Sequence, residues 1–95
     1  MNKAKIKQLE RIEKIKEILK KLPDLVEFKY NGITGNVDAY YYPEEQTKKY
    51  LLYFNGYEIL VNSVEEAIIT PFIDGKSFSE VTKDIRIYRY GNRIY

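Results

Sequence analysis

Hydrophobic residues are most concentrated over residues 48–61, where two runs of aromatic and aliphatic side chains are joined by Asn55-Gly56. Asn-Gly readily adopts the positive φ angles of a type I′ turn, so this stretch predicts a tight β-hairpin. Apolar side chains fill both sets of alternating positions over residues 50–54. Because neither face of that strand is polar, we predict a hairpin inside its sheet, with helices covering one face and something else covering the other.

Residues 3–22 show a helical rather than an alternating pattern. At 100° per residue, the apolar side chains of its second half fall within about a third of the helix circumference. They are Ile12, Ile15, Ile18, Leu19 and Leu22. We predict an amphipathic helix that ends before Pro23 and packs through this stripe. Ile6 and Leu9 lie off the stripe, so the first two turns are expected to project beyond the core.

The rest of the chain predicts shorter elements. Alternation over residues 24–30, the turn pair Asn31-Gly32 and a second run over residues 33–42 indicate another hairpin. Three consecutive tyrosines end that run at Tyr42, and since they cannot all point inward, at least one phenol is expected on an outer surface. Further along, two serines precede a glutamate by three residues, which is the spacing of a helix capping box. The pairs are Ser63 with Glu66 and Ser77 with Glu80.

Together these patterns predict a single α+β domain over residues 1–95. Residues 1–22 form a long helix, residues 24–62 two β-hairpins, residues 63–84 two short helices and residues 85–95 a terminal strand. The helix packs on an antiparallel sheet of about five strands.

Composition excludes several kinds of chemistry. The chain has no cysteine and no histidine, so it has no disulfide, no thiolate nucleophile and neither of the usual zinc ligands. The triplet Gly75-Lys76-Ser77 lacks the earlier glycine of a phosphate-binding loop, because Thr70 stands at that position. We therefore predict a protein that is not an enzyme and binds no metal or cofactor. A carboxylate pair assembled by the fold, such as Asp38 with Glu58, stays open.

The net charge of +2 conceals an uneven distribution. Residues 1–22 carry eight basic and three acidic side chains, residues 23–84 carry five basic and eleven acidic, and residues 85–95 carry three arginines and no acid. Two basic ends thus flank an acidic middle. This asymmetry can steer a partner, or it can hold the helix against the sheet.

Ten tyrosines are more phenols than the interior of a 95-residue domain can enclose. Tyrosine and arginine are enriched at protein interfaces because they combine a large contact area with a polar tip. We predict a non-catalytic binding protein that presents a tyrosine- and arginine-rich surface to a protein partner. The candidate binding residues are Arg86, Tyr88, Arg89, Tyr90, Arg93, Tyr95 and Tyr41.

Two other kinds of partner fit the same sequence. A nucleic acid could bind the basic helix together with the arginines of residues 85–95, with phenols stacking on bases. The helix residues in this alternative are Lys3, Lys5, Lys7, Arg11 and Lys14. A second copy of the chain could cover the spare face of the sheet, which would make a self-associating structural protein.

No run of apolar residues is long enough to cross a bilayer, so we expect a soluble, cytoplasmic protein with no membrane partner. Small size, lysine-, glutamate- and tyrosine-rich composition and the lack of catalytic residue types are typical of viral, phage or mobile-element accessory proteins. An inhibitor of a host defence protein belongs to this class.

Overall fold

A computed structural model of the chain describes residues 2–95 and contains two α-helices, six strands and one 3-10 helix. The helices are α1 (Lys3–Lys20) and α2 (Val64–Ile69), and the 3-10 helix is Thr82–Asp84. The strands are β1 (Leu25–Tyr30), β2 (Ile33–Tyr42), β3 (Thr47–Phe54), β4 (Tyr57–Val61), β5 (Ile85–Arg89) and β6 (Asn92–Arg93). All strand pairs are antiparallel, in the order β4-β3-β2-β1-β5-β6. The predicted α+β fold, with a long helix packed on an antiparallel sheet, is confirmed.

Every buried strand side chain in residues 2–95 points to the side of the sheet that the helices cover. The predicted stripe is the packing face of α1: Ile15 and Leu19 are buried, while Ile12 and Ile18 are partly buried. Leu22, just beyond the helix end, is buried as well. The predicted helical segment 1–22 includes Met1, which lies outside the described residues. No helix among residues 2–95 is long and apolar enough to span a membrane.

Four phenylalanines form the centre of the core. The Phe28 ring stacks on Phe54 at 5.9 Å between centroids and meets Phe72 and Phe78 edge-on at 5.7 and 5.1 Å. Strands β1 and β3 supply the first pair, and the segment between α2 and the 3-10 helix supplies the second. The covered side of the sheet is therefore closed by this segment as well as by the two helices.

The end of α1 is held by side chains from β3. Lys48 Nζ donates hydrogen bonds to the carbonyl oxygens of Lys20 and Leu22, at 3.0 and 2.6 Å. The buried Tyr50 hydroxyl donates to the carbonyl oxygen of Leu19 at 3.0 Å. These carbonyls lie at the helix end, where the N–H donors of a further helical turn are missing. The Leu19 oxygen also accepts a backbone hydrogen bond of 3.3 Å from the Leu22 N–H. The β3 side chains therefore stabilise the end of α1 and fix its position on the sheet.

We expect Tyr50→Phe to lower the free energy of unfolding by about 1 kcal/mol, because it deletes one buried hydrogen bond and leaves the ring in place. Burial, with a smaller contribution from the charge of Glu65, also raises the pKa of the Tyr50 phenol in the folded protein. A raised folded pKa means that this stabilisation is complete below pH of about 10, the pKa of an unfolded tyrosine, and is lost as the pH rises through the folded value. Urea unfolding from pH 7 to 11 measures both effects. If stability falls as steeply with rising pH in Tyr50→Phe as in the unchanged protein, the ionisation of Tyr50 does not contribute to the loss.

Both Asn-Gly pairs form the predicted turns. Asn31, Gly32, Asn55 and Gly56 all have positive φ, as a type I′ hairpin requires. A two-residue turn fixes the register of its hairpin, so Tyr30 pairs with Ile33 and Phe54 pairs with Tyr57.

The structure differs from the sequence prediction in three places. The second hairpin is only half interior, because β3 lies between β2 and β4 whereas β4 is an edge strand. Ser77 does bond Glu80, but the chain there forms turns and only the short 3-10 helix follows. The terminal segment folds back at Tyr90-Gly91, where both residues have positive φ, and β6 becomes a sixth strand. A tyrosine is uncommon in that backbone region, so the pattern had placed Tyr90 in the strand instead.

Candidate functional site

The side of the sheet that faces away from the helices is the candidate site, and we call it the open face. The strand residues on it alternate with the buried ones and are only partly shielded by one another. They are Leu25, Glu27, Lys29, Thr34, Asn36, Asp38, Tyr40, Tyr42, Thr47, Lys49, Leu51, Tyr53, Glu58, Leu60, Arg86, Tyr88 and Arg93. The prediction that helices cover one face of the sheet is thus confirmed. The residues listed here are the ones that anything packed on the other face would contact.

One row of side chains crosses all six strands of the open face, and we call it the central row. Each member lies opposite the next in the antiparallel register. From β4 to β6 the row reads Glu58, Tyr53, Asn36, Glu27, Tyr88 and Arg93. Neighbouring strands lie about 4.8 Å apart, so the row is about 24 Å long. It has an acid at one end, a base at the other and a phenol one strand inside each end.

The row beside it is more apolar. It runs from Leu60 through Leu51 and Asp38 to Leu25. The Asp38 carboxylate accepts a hydrogen bond of 2.8 Å from the Tyr40 hydroxyl. This hydrogen bond and the charge of Asp38 raise the pKa of the Tyr40 phenol above its ordinary value.

Lysines lie over two of the four phenol rings on the open face. Lys49 Nζ is 4.7 Å from the centroid of Tyr42, and Lys29 Nζ is 5.5 Å from the centroid of Tyr88. These distances are within the range of cation–π attraction. The rings are therefore held in place while part of their surface stays accessible.

The predicted binding residues of the terminal segment are divided between surfaces. Arg86, Tyr88 and Arg93 share the open face. Arg89 turns to the other side and donates a 3.1 Å hydrogen bond to Asp24, which also accepts one of 3.3 Å from the Tyr90 hydroxyl. Arg89 and Tyr90 thus fasten β5 to the start of β1, which gives them a structural contact within the chain.

The other two predicted residues lie on the helix side. Tyr95 is partly buried and packs against the core, and this burial raises the pKa of its phenol while nearby Arg11 opposes the shift. Tyr41 lies on the same side at the far end of β2 and is 62% exposed, while its neighbours Tyr40 and Tyr42 are exposed on the open face. The expectation that a phenol of this run lies outside is confirmed.

The basic residues of α1 meet Tyr95. Lys7, Arg11 and Lys14 line a 450 Å³ depression with its ring. Lys5 joins Lys7 and Arg11 along a groove of 590 Å³ between α1 and the segment around Thr82. The fifth residue of the nucleic-acid alternative, Lys3, lines neither.

The register does not bring together Asp38 and Glu58, the carboxylate pair that the sequence left open. Asp38 and Glu58 are on strands separated by β3, which places their backbones roughly 10 Å apart or more. No group of three metal-ligating side chains occurs among residues 2–95. The two depressions beside Tyr88 have volumes of 230 and 240 Å³, below the 300–1,000 Å³ typical of small-molecule pockets. The depressions beside Tyr88 are therefore small, and the surface around it is shallow.

Comparisons with protein-family models, with curated proteins and with solved structures find no match. The open face and the basic helix are therefore the features of the molecule that bear on its function.

The sequence prediction assigned only two of the six central-row residues, Tyr88 and Arg93, to the binding surface. The other four were not among its candidate binding residues, and they are Glu27, Asn36, Tyr53 and Glu58. A signal for these was present, because each two-residue Asn-Gly turn fixes a register that pairs Glu27 with Asn36 and Tyr53 with Glu58. Their alignment with Tyr88 depends on the pairing of β1 with β5, which no local pattern specifies.

Proposed function

We propose that this protein is a non-catalytic binding domain whose open face docks on a protein partner. The observation that supports the proposal is the composition of one uncovered sheet face, which combines four phenols and three leucines with charges of both signs. Phenols offer a large, rigid contact area, and leucines gain from leaving water. Charges of both signs give specificity for a protein surface.

The acidic residues of the open face argue against a nucleic acid at this surface. Glu27, Asp38 and Glu58 are spread over three strands of the sheet. A polyanion crossing the middle of the face would be repelled by these carboxylates, because its affinity depends on phosphates meeting lysine and arginine. A protein partner can instead place a cation opposite each carboxylate.

An inhibitor of a host protein, carried by a virus or a mobile element, is the form of binding domain that we propose for a chain of this size and composition. Such an inhibitor would act by occupying a surface of its target. Neither a cofactor nor a reaction is needed for this activity.

Tyr53→Glu and Tyr88→Glu test the proposal, since each buries a charge at any interface formed by the central row. The matched control is Ile69→Glu, because Ile69 is 68% exposed on α2, on the other side of the sheet. We expect a protein captured by the unchanged chain and by the control to bind each open-face variant at least tenfold more weakly when purified and titrated. Circular dichroism checks that each variant is folded. The proposal would be contradicted if the unchanged chain, the control and both open-face variants bound every protein partner equally well. A second copy of the chain counts as a protein partner here.

The basic helix favours a second candidate function, nucleic-acid binding, because three cations line the same depression as the Tyr95 ring, on which a base can stack. They are Lys7, Arg11 and Lys14, with one acid, Glu10, beside them. Fluorescence titration of oligonucleotides over a salt series tests it. Affinity should fall steeply with salt, and Arg11→Gln should reduce the slope by about one unit, while Lys21→Gln at the far end of the helix should not. A lack of binding to single- and double-stranded oligonucleotides at low salt would exclude this function.

A further inference from the structure

We infer that the partner of the open face is a second copy of this chain, packed face to face about a two-fold axis that runs parallel to the strands. The inference rests on the proposed function, because it uses the same surface and names its occupant. The order of residues in the central row is the observation that carries it.

The central row is complementary to its own reverse. The two-fold axis lies between the two sheets, parallel to the strands and midway between β1 and β2. Rotation about it reverses the order of the strands, so β4 of one copy faces β6 of the other. Glu58 then faces Arg93 of the second copy, and the symmetry repeats this ion pair at the other end. Each copy therefore contributes one acid and one base to two equivalent pairs.

The inner positions of the row match under the same rotation. Tyr53 lies one strand from the β4 edge and Tyr88 one strand from the β6 edge, so each phenol faces the other type in the second copy. Two aromatic pairs of this kind add attraction beyond the area that they bury. At the axis, the Asn36 amide faces the Glu27 carboxylate and can donate to it.

The other face-to-face arrangement is unfavourable. An axis perpendicular to the strands, along the central row, places each strand opposite the same strand of the second copy. Glu58 then faces Glu58, and Arg93 faces Arg93. Like charges facing each other across an interface cost binding energy. Both axes keep the strands of the two sheets aligned, as face-to-face packing requires, so the charges decide between the two arrangements.

The neighbouring row limits the strength of the dimer. There the parallel axis places Asp38 against Leu25, although the Asp38 carboxylate keeps its hydrogen bond from Tyr40. The open face also presents fewer side chains than the roughly 20–30 per partner of a standard interface. We therefore expect a dimer with a dissociation constant of the order of micromolar.

Charge exchange at the two ends of the row tests the inference. Glu58→Arg and Arg93→Glu should each weaken the dimer at least tenfold, because each variant puts like charges at both ends of the interface. The double variant carrying both changes should dimerise like the unchanged chain. Its restored ion pairs can form only between copies, since the two positions are about 24 Å apart within one sheet.

Analytical ultracentrifugation from about 1 to about 300 µM measures these constants over the range expected for a small interface. Mixing the two single variants provides a further check. In a mixed dimer, the two basic ends of Glu58→Arg face the two acidic ends of Arg93→Glu, so the mixed dimer should form. Thermal unfolding followed by circular dichroism confirms that each variant is folded.

Three results would overturn the inference: a monomer at 300 µM, a dimer indifferent to both single changes, or a double variant that fails to recover while still folded. The proposed function is separable from these outcomes. If the chain is monomeric but a different purified protein binds it and is lost in Tyr53→Glu, the open face is a docking surface and only its occupant has been misassigned.

Discussion

Phe28→Ala is expected to lower the free energy of unfolding by about 3–5 kcal/mol, the range for removing a large aromatic side chain from a packed core. Phe28 is 1% exposed and contacts three other rings, so its removal leaves a cavity between the sheet and the segment that follows α2. The cavity cannot close easily, because β1 is paired on both sides by β2 and β5. For a domain of this size, such a loss is a large fraction of the total stability of about 5–15 kcal/mol.

Urea denaturation of Phe28→Ala and of the milder variant Phe28→Leu measures the effect. Leucine fills part of the space, so its cost should be clearly smaller than that of alanine. Equal costs for the two variants, or a cost below about 1.5 kcal/mol for alanine, would show that Phe28 is not at the centre of the core.

Gly35→Ala should cost about 3 kcal/mol, although it adds only one methyl group. A Cβ at position 35 would lie 2.5 Å from Cζ of Phe28 and 2.6 Å from the backbone oxygen of Tyr53. The first neighbour is fixed by the surrounding rings, and the second is backbone in β3. Since neither can yield by a rotamer change alone, the added methyl must displace a strand.

Thr34→Ala is the matched control for this change, because Thr34 is the preceding residue of β2 and is exposed. It should change the free energy of unfolding by less than about 0.5 kcal/mol, as is usual for surface positions. The double variant Gly35→Ala with Phe28→Leu should lose less than the sum of the two single losses, because the smaller side chain makes room for the methyl group. Additive losses would contradict the proposed clash.

The packing of Phe28 requires a glycine at position 35. Phe28 and Gly35 are directly opposite in the register of β1 and β2, and both are on the covered side. The ring crosses the space that a side chain at position 35 would fill, which brings the Phe28 ring within reach of Phe54 on β3. A glycine in the middle of a strand weakens the strand itself, and here this cost is offset by the packing of the ring.

The candidate site combines features that local patterns predict with others that they do not. The alternation of Arg86 with Tyr88 correctly predicted that these two side chains share a face. Arg89 points to the other side, where it bonds Asp24, the residue before β1. Tyr90 also bonds Asp24, but it stays exposed and lines one depression together with Tyr88. Tyr95 is on the helix side, because the last residues of the chain fold back past β5.

Local patterns by themselves determined the helix, both Asn-Gly hairpins and the cap of α2, because each depends on residues within four positions of one another. Hydrogen bonds confirm the cap: Ser63 Oγ accepts from the Glu66 N–H at 3.1 Å, and the Glu66 carboxylate accepts from the backbone N–H of Asn62 at 3.4 Å. The chemistry that the composition excludes, thiolate and imidazole, is likewise fixed by the sequence alone.

Only the tertiary structure decided which strands are neighbours across the sheet. The pairing of β1 with β5 joins segments more than fifty residues apart, and it brings Glu27 opposite Tyr88. Ile85 and Ile87 of β5 are buried in the same core as Phe28 of β1, so this pairing depends on the packing of the whole core. The central row, and with it the self-complementary order of charges and phenols, exists only after that pairing has formed.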